Sequence, residues 1–178
     1  MLLLLKKNKI MKITNVVCSF NTGCRLDLVL LNNMSEKSKY NPLKFSGLVW
    51  KEINITCLIF QSGHITCLGN KSIEEAHSNI DKCLNRLKQL GFIHVTKSDF
   101  KVITMSAVYK IKEGINLTKL VKQKGATLEP ELFPAAFLRE KYIHYTCYHT
   151  GVIVITGIKS EMDLINKVSP TLIEIELM

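Results

Sequence analysis

The sequence predicts an α+β protein built as two tandem copies of one unit, each an antiparallel sheet with helices on a single face. Three observations carry this. Sliding the 178-residue chain on itself by 88 positions places Pro42 on Pro130, Phe45 on Phe133, Lys51 on Arg139, Gly63 on Gly151, Ile65 on Ile153, Gly69 on Gly157, Lys71 on Lys159 and Ser72 on Ser160. In each copy two short β-rich runs meet at a glycine turn, a hairpin signal. A helical period follows each hairpin, with Ala76, Ile80, Leu84 and Leu87 falling on Leu164, Val168, Leu172 and Ile175.

Residues 1–11 read as an N-terminal extension. Its apolar start, Met1 to Leu5, is stopped by Lys6, Lys7 and Lys9, too early for a signal segment or a membrane span of about 20 residues. The first repeat, 12–99, opens with a strand and the turn Asn21-Thr22-Gly23, after which Leu26 to Asn32 suits a short helix. Thr56 to Gln61 and His64 to Gly69 form the hairpin around Ser62-Gly63. Ser72 with Glu75 makes a capping box for the long helix that runs to Gly91. Asp99-Phe100-Lys101-Val102 restarts a strand without a flexible linker and opens the second repeat, 100–178. There Leu117 to Gln123 is the short helix, and Tyr145 to Tyr148 with Val152 to Gly157 is the hairpin around Thr150-Gly151. Ser160 with Asp163 is a weaker cap, and Pro170 should kink or reset the last helix. The sum is roughly ten strands and four helices.

A hydrophobic share of 47% without Pro, Gly or Ser tracts excludes disorder as the main state. The six cysteines form no C-x-x-C pair, and several lie in apolar strand-like runs, so reduced thiols are expected. No other apolar window approaches a membrane span. The chain therefore reads as soluble, with the Asn-x-Ser/Thr triplets at Asn33, Asn54 and Asn116 as chance matches. Runs such as Val152 to Thr156 are apolar at both parities, which sends apolar side chains to both sheet faces. Four helices cover one face. The other is expected to meet an oligomer, lipid or a large ligand, and a net charge of +9 points to nucleic acid.

Enzyme and metal readings are thin. Cys147 and His149 with nearby His144 lack a second ligand pair. The acid pairs Glu74/Glu75 and Glu129/Glu131 have no His, Cys or Ser partner motif. No phosphate-binding or dinucleotide glycine pattern is present. Neither a catalytic group nor a cofactor is expected.

From about Asn15 to Leu177 the chain resembles the TATA-box-binding protein (TBP) family. The stretches that carry the resemblance are Asn15-Val16-Val17, Gly23-Cys24-Arg25-Leu26-Asp27-Leu28, Tyr40-Asn41-Pro42-Leu43-Lys44-Phe45, Leu58-Ile59-Phe60-Gln61-Ser62-Gly63, Gly69-Asn70-Lys71-Ser72 and Glu129-Pro130-Glu131-Leu132-Phe133-Pro134. The resemblance implies a TBP-like saddle of two pseudo-symmetric repeats, a curved antiparallel sheet with four helices on its convex back. It also implies that the concave face binds the minor groove of promoter DNA, inserts phenylalanines between base steps and kinks the duplex, the mode for which TBP is known.

Carried over residue by residue, the wedge pairs fall on Phe45 with Phe60 and on Phe133 with Tyr148. The central groove asparagines fall on Asn15 and, one residue out of the 88-residue register, on Thr104, which can donate only once. Val17 keeps the apolar groove-facing type, and Ser106 replaces its counterpart. Leu58, Thr66, Leu68, Val154 and Thr156 complete the groove face. Asn donors suit adenine N3 and thymine O2, so the face favours A·T content without reading base order. Lys51, Arg139, Lys71 and Lys159 match positions near the DNA backbone, where cations supply affinity and salt dependence. Glu129, Glu131 and Leu132 lie in the loop that a TFIIB-like factor grips in the family, and two carboxylates suit a basic partner.

The implied role is a general transcription initiation factor that binds and bends A·T-rich promoter DNA. Its implied partners are a TFIIB-like factor, the RNA polymerase machinery and TFIIA-like or other regulators, with no membrane. The implied location is the nucleus, or a viral factory or archaeal cytoplasm according to source. Two other readings stay open. One is a TBP-like paralogue without TATA preference, working as a protein-interaction platform, which Thr104, Ser106 and Tyr148 favour. The other is an unrelated two-repeat domain whose apolar sheet face holds a small hydrophobic molecule or dimerises.

Overall fold

The computed structural model describes residues 2–5, 9–51 and 55–178, with side chains from Met11 onward within those ranges. Lys6, Lys7 and Asn54 lie outside the described residues, and Lys9 is described in its backbone alone. In chain order the elements are β1 (Leu2–Leu5), β2 (Lys9–Asn21), α1 (Leu28–Met34), β3 (Ser38–Lys39), β4 (Leu48–Trp50), β5 (Thr56–Ile59), β6 (His64–Asn70), α2 (Ile73–Gln89), β7 (Ser98–Lys110), α3 (Leu117–Lys124), β8 (Thr127–Leu128), β9 (Ala135–Glu140), β10 (Ile143–Tyr148) and β11 (Val152–Ile158). A last helical stretch follows, made of α4 (Glu161–Asp163), a π-helical turn (Leu164–Val168) and α5 (Ser169–Glu176).

The chain forms two compact units. The first is Asn15–Ile103; the second combines the chain up to Thr14 with Thr104–Met178. The first unit's strands run β3-β4-β5-β6-β2, all antiparallel, and the second unit's run β7-β11-β10-β9-β8 in the same manner. The extension is not featureless: β1 turns back on the start of β2, with Leu2 opposite Lys12 and Leu5 opposite Lys9.

In the first unit one parity of the strands packs against α1 and α2. Cys18, Phe20, Leu48, Trp50, Cys57, Ile59, Ile65 and Cys67 meet Leu28, Leu31, Ala76, Ile80, Cys83, Leu84 and Leu87. Four of those core residues are thiols, and Cys57 Sγ lies 3.5 Å from Cys67 Sγ across the β5–β6 pair. In the second unit the buried residues include Ile143, Tyr145, Cys147, Ile153 and Ile155 on the strands and Leu120, Leu164, Val168, Leu172 and Ile175 on the helices. All six cysteines are free thiols, and only Cys24 is not buried. Cys147 is buried while His144 and His149 are exposed. Among the described residues no three His, Cys, Asp or Glu side chains are grouped to hold a metal ion, and no helix is long and apolar enough to cross a membrane.

The helix starts follow the sequence chemistry, with differences in detail. The short first helix begins at Leu28, two residues later than its apolar pattern suggests, because the Asp27 carboxylate accepts the N–H groups of Val29 and Leu30. Ser72 Oγ accepts the Glu75 N–H at 3.0 Å, but the Glu75 carboxylate reaches past Ser72 to the Lys71 N–H at 2.6 Å. Ser160 and Asp163 repeat this arrangement, with Asp163 taking the Lys159 N–H at 3.0 Å. Pro170 does reset its helix. Lacking an N–H, it cannot continue the α-helical ladder, and the preceding turn widens so that the Ser169 N–H reaches back to the Leu164 carbonyl.

The hairpin glycines are sterically required. Gly63 and Gly151 have φ of +87° and +88°, and a Cβ there would stand 2.2 Å from the Cys24 carbonyl oxygen and 2.0 Å from that of Ile111. Matching demands 88 residues apart are the physical content of the duplication.

Candidate nucleic-acid interface

Strand alternation divides each sheet. With one parity buried under helices, the other parity forms an open face. In the first unit the row Val49–Leu58–Thr66 crosses β4, β5 and β6 and ends at the buried Ser19 of β2, and Thr56 lies opposite Leu68. In the second unit the row Phe137–Thr146–Val154–Val108 crosses β9, β10, β11 and β7, and Thr156 lies opposite His144, which lies opposite Arg139. Asn15, Val17, Leu58, Thr66, Leu68, Thr104, Ser106 and Val154 are all half-buried, and Thr156 is exposed. These are the groove-face candidates, and they occupy the parity that the helices leave uncovered.

Asn15 is held in one orientation. Its Oδ1 accepts the Gly69 N–H at 2.9 Å, which leaves the Nδ2 hydrogens as its remaining donors. Among the described residues Thr104 makes no corresponding bond. Ser106 uses its carbonyl to accept the Thr14 hydroxyl at 3.2 Å. The two central positions therefore differ in pre-organisation as well as in residue type.

Each unit also brings its aromatic pair together. Phe45 and Phe60 meet edge to face, with ring centroids 5.8 Å apart at 71°. Phe133 and Tyr148 are 6.1 Å apart at 58°. Phe45 and Phe133 remain 40% exposed, a large apolar surface for residues with neighbouring rings. The loops that present them close identically. The Asn41 carbonyl accepts the N–H groups of Lys44 and Phe45, and the Glu129 carbonyl accepts those of Leu132 and Phe133, each at 3.0 Å. Glu129 and Glu131 are exposed on this second loop, and Leu132 projects with 79% of its surface free.

Lys51, Lys71, Arg139 and Lys159 are exposed. Arg139 stands on the open parity of β9 and donates from Nε to the Lys141 carbonyl at 3.3 Å. The Lys159 ammonium lies 4.6 Å from the Tyr142 ring centroid, with Lys167 at 4.5 Å from the same ring. Lys167 also pairs with Asp163 at 2.5 Å, and Tyr142 donates to the same carboxylate at 2.8 Å. Burial pushes the Asp163 carboxyl up, but the bonds from Lys167, the Lys159 N–H and Tyr142 outweigh it and hold the group below the usual carboxylate range.

Residues 10–90 and 99–175 match the family described as "Transcription factor TFIID (or TATA-binding protein, TBP)". This chain belongs to that family. It is 33% identical over 173 residues to the TATA-box-binding protein of Methanocaldococcus jannaschii, covering 93% of this chain and 94% of that protein. It is 30% identical over 171 residues to the TBP-related factor of Drosophila melanogaster, covering 91% of this chain and 76% of that protein. The solved structure titled "Methanococcus jannaschii TBP" superposes with a TM-score of 0.82 at 32% identity, over 94% of this chain and 99% of that one. The fold is the TBP fold, two repeats of antiparallel strands backed by helices.

Phe137, His144 and Val49 are among the residues of this parity that the sequence did not single out as groove contacts. Phe137 and Arg139 are two apart on β9 and share its face, so strand alternation counted back from Arg139, itself singled out by the repeat and the resemblance, was the signal for Phe137. His144 was read only as a remote metal ligand; its register opposite Arg139 places it on the open parity instead.

Proposed function

We propose that this chain is a non-enzymatic transcription initiation factor that binds A·T-rich promoter duplexes through the minor groove. The open faces of the two units make the contact, the aromatic pairs wedge base steps apart and kink the duplex, and the bound protein nucleates assembly of the initiation complex. One observation carries the reading above all. Two aromatic pairs recur 88 residues apart, each with one exposed ring on an identically closed loop and a half-buried partner, beside an uncovered apolar face. A wedge needs flat apolar rings free to leave water, and each unit offers them. Membership of a family whose relatives are named for TATA-box binding supports the same conclusion. The site of action is wherever the promoter lies, a nucleus or an archaeal cytoplasm.

The charge of +9 suits a polyanion, and the exposed Lys51, Lys71, Arg139 and Lys159 are the phosphate contacts. Glu129, Glu131 and Leu132 form the grip for a TFIIB-like factor, through which polymerase is recruited; TFIIA-like regulators bind elsewhere on the same complex. Fluorescence anisotropy on a labelled A·T-rich duplex, with a G·C duplex as control, tests the central statement. Tight binding to the first and weak binding to the second is expected; equal weak binding to both overturns it. Charge reversal at Glu129 and Glu131 should then abolish ternary-complex formation while sparing binary DNA binding.

A second reading is favoured by Thr104, Ser106 and Tyr148, which depart from the family pattern within one unit, and by the likeness to a TBP-related factor. In that reading the chain keeps the fold as a protein-interaction platform without A·T preference. The same duplex comparison separates the two.

A further inference from the structure

The open face of the second unit holds a third aromatic ring that its repeat partner lacks. Phe137 occupies the position of Val49 in the 88-residue register and is 46% exposed on β9, between Thr127 and Thr146. Its ring stacks on Phe133, with centroids 5.4 Å apart at 27°. The first unit arranges its wedge differently, around a glycine. At Gly47 a Cβ would stand 2.7 Å from Phe45 Cε1 and 3.0 Å from Phe60 Cε1, so those rings lie in space that a side chain would fill. The equivalent position in the second unit is Ala135, which carries a methyl group, lies opposite Tyr148 and is fully buried. Phe133 lies stacked on Phe137 beside it.

Nothing in the fold demands an aromatic there. The first unit builds the same strand with Val49, and an exposed ring at the surface gains little from packing. What the ring can do depends on what covers it. The minor-groove edges of A·T and T·A pairs carry only acceptors, whereas G·C adds the guanine N2 amino donor. A flat apolar ring pressed on the groove floor tolerates the first edge. Against the second it strips a donor of water and returns no hydrogen bond. The flanking Thr127 and Thr146 lie on the neighbouring strands to either side of Phe137.

We infer that Phe137 is a specificity-determining residue of the second unit, a third groove contact that excludes G·C at the base pair it covers. This rests on the minor-groove reading above and deepens it. Val49 imposes no such filter, so the two halves of a bound site differ in tolerance, and the protein acquires a preferred orientation on an otherwise symmetric A·T tract.

The test uses the full chain and a panel of A·T-rich duplexes in which each pair of the bound window is changed singly to G·C. Binding is measured by anisotropy at fixed ionic strength for the wild type, Phe137→Val and Phe137→Leu. Circular dichroism and urea midpoints check folding; Leu preserves apolar bulk if Val perturbs the strand. The wild type should show one position, to one side of centre, where G·C costs about tenfold or more. Both variants should relax that position to about threefold or less and leave the penalties elsewhere unchanged. An unchanged penalty profile in the variants, with the wild type still preferring A·T, overturns the assignment of Phe137 alone. A uniform loss of affinity at every position overturns it too, since the ring would then only support Phe133. Absence of any A·T preference in the wild type overturns the minor-groove reading itself.

Discussion

Asn15 and Gly69, 54 residues apart in sequence, are joined by a hydrogen bond of 2.9 Å from the glycine N–H to the asparagine Oδ1. Because a backbone N–H can only donate, it fixes which end of the amide faces the sheet and leaves the NH₂ end as the donor side. Asn15→Asp preserves the acceptor for Gly69, so stability should change by no more than about 0.5 kcal/mol. The same change puts a carboxylate where a donor should face the acceptors of an A·T edge. Duplex affinity should fall by about tenfold or more while the urea midpoint stays put. Parallel loss of stability and affinity would mean that the bond serves the fold alone.

Gly47→Ala pushes a methyl group into the Phe45–Phe60 contact, 2.7 Å from the nearest ring atom. Both rings are side-chain ends and Phe45 is 40% exposed, so they can swing away, and destabilisation should stay under about 1 kcal/mol, the low end for overpacking. Duplex binding should suffer several-fold, because the wedge leaves its prepared orientation. Aromatic chemical shifts, read beside anisotropy titrations, check both halves of the statement. Unperturbed shifts would show that the first unit's ring geometry does not depend on the absence of a side chain.

Lys51 and Arg139 occupy matched positions and both are exposed. Replacing either with Ala should lower the slope of log K against log salt by about 1 and weaken all duplexes alike. The double variant should lose about 2, since the two sites lie in different repeats and share no partner. A slope unaffected by both replacements would remove them from the phosphate-contact set.

Asp163 predicts a pH dependence of stability. Its folded carboxyl titrates below the ordinary value, so its stabilising contribution is complete above the unfolded value of about 4 and is lost as pH falls through the depressed folded value. Asp163→Asn should therefore cost about 1.5 to 3 kcal/mol near neutrality, the range for hydrogen bonds to a charged group. The gap between variant and wild type should close on acidification below about pH 4. Urea melts at several pH values measure this. A gap independent of pH would assign the loss to packing instead.

Much of this fold was legible because its demands are local and doubled. Gly63 and Gly151 are required by carbonyl oxygens scarcely 2 Å from any Cβ, and Ser72 and Ser160 by unpaired N–H groups, so each signal appears twice at one offset. The wedge candidates recur at that offset, whereas the groove candidates came from the family resemblance, with Thr104 one residue out of register. What stayed hidden was non-local. The Glu75 carboxylate bypasses Ser72 for the Lys71 N–H. The β1–β2 pairing had no repeat counterpart to announce it, and its four leucines read as well for a bare apolar tail. Phe137 was missed for a related reason. Its register partner is Val49, so no recurrence marked it, and only the ring stack on Phe133 reveals that it belongs with the aromatic group.

The uneven placement of thiols makes the molecule a recorder of its own breathing. Cys24 alone is partly open, while Cys18, Cys57, Cys67 and Cys83 are sealed in the first unit and Cys147 in the second. Burial pushes the Cys147 thiol up to about 12, so it stays protonated and inert until water reaches it. A thiol-reactive dye added to the native protein should consume one equivalent at once. Later labelling then counts opening events, in fours for one half of the chain and in ones for the other. Mass spectrometry of the partly labelled population would show which half yields first, without a mutation or a spectroscopic tag.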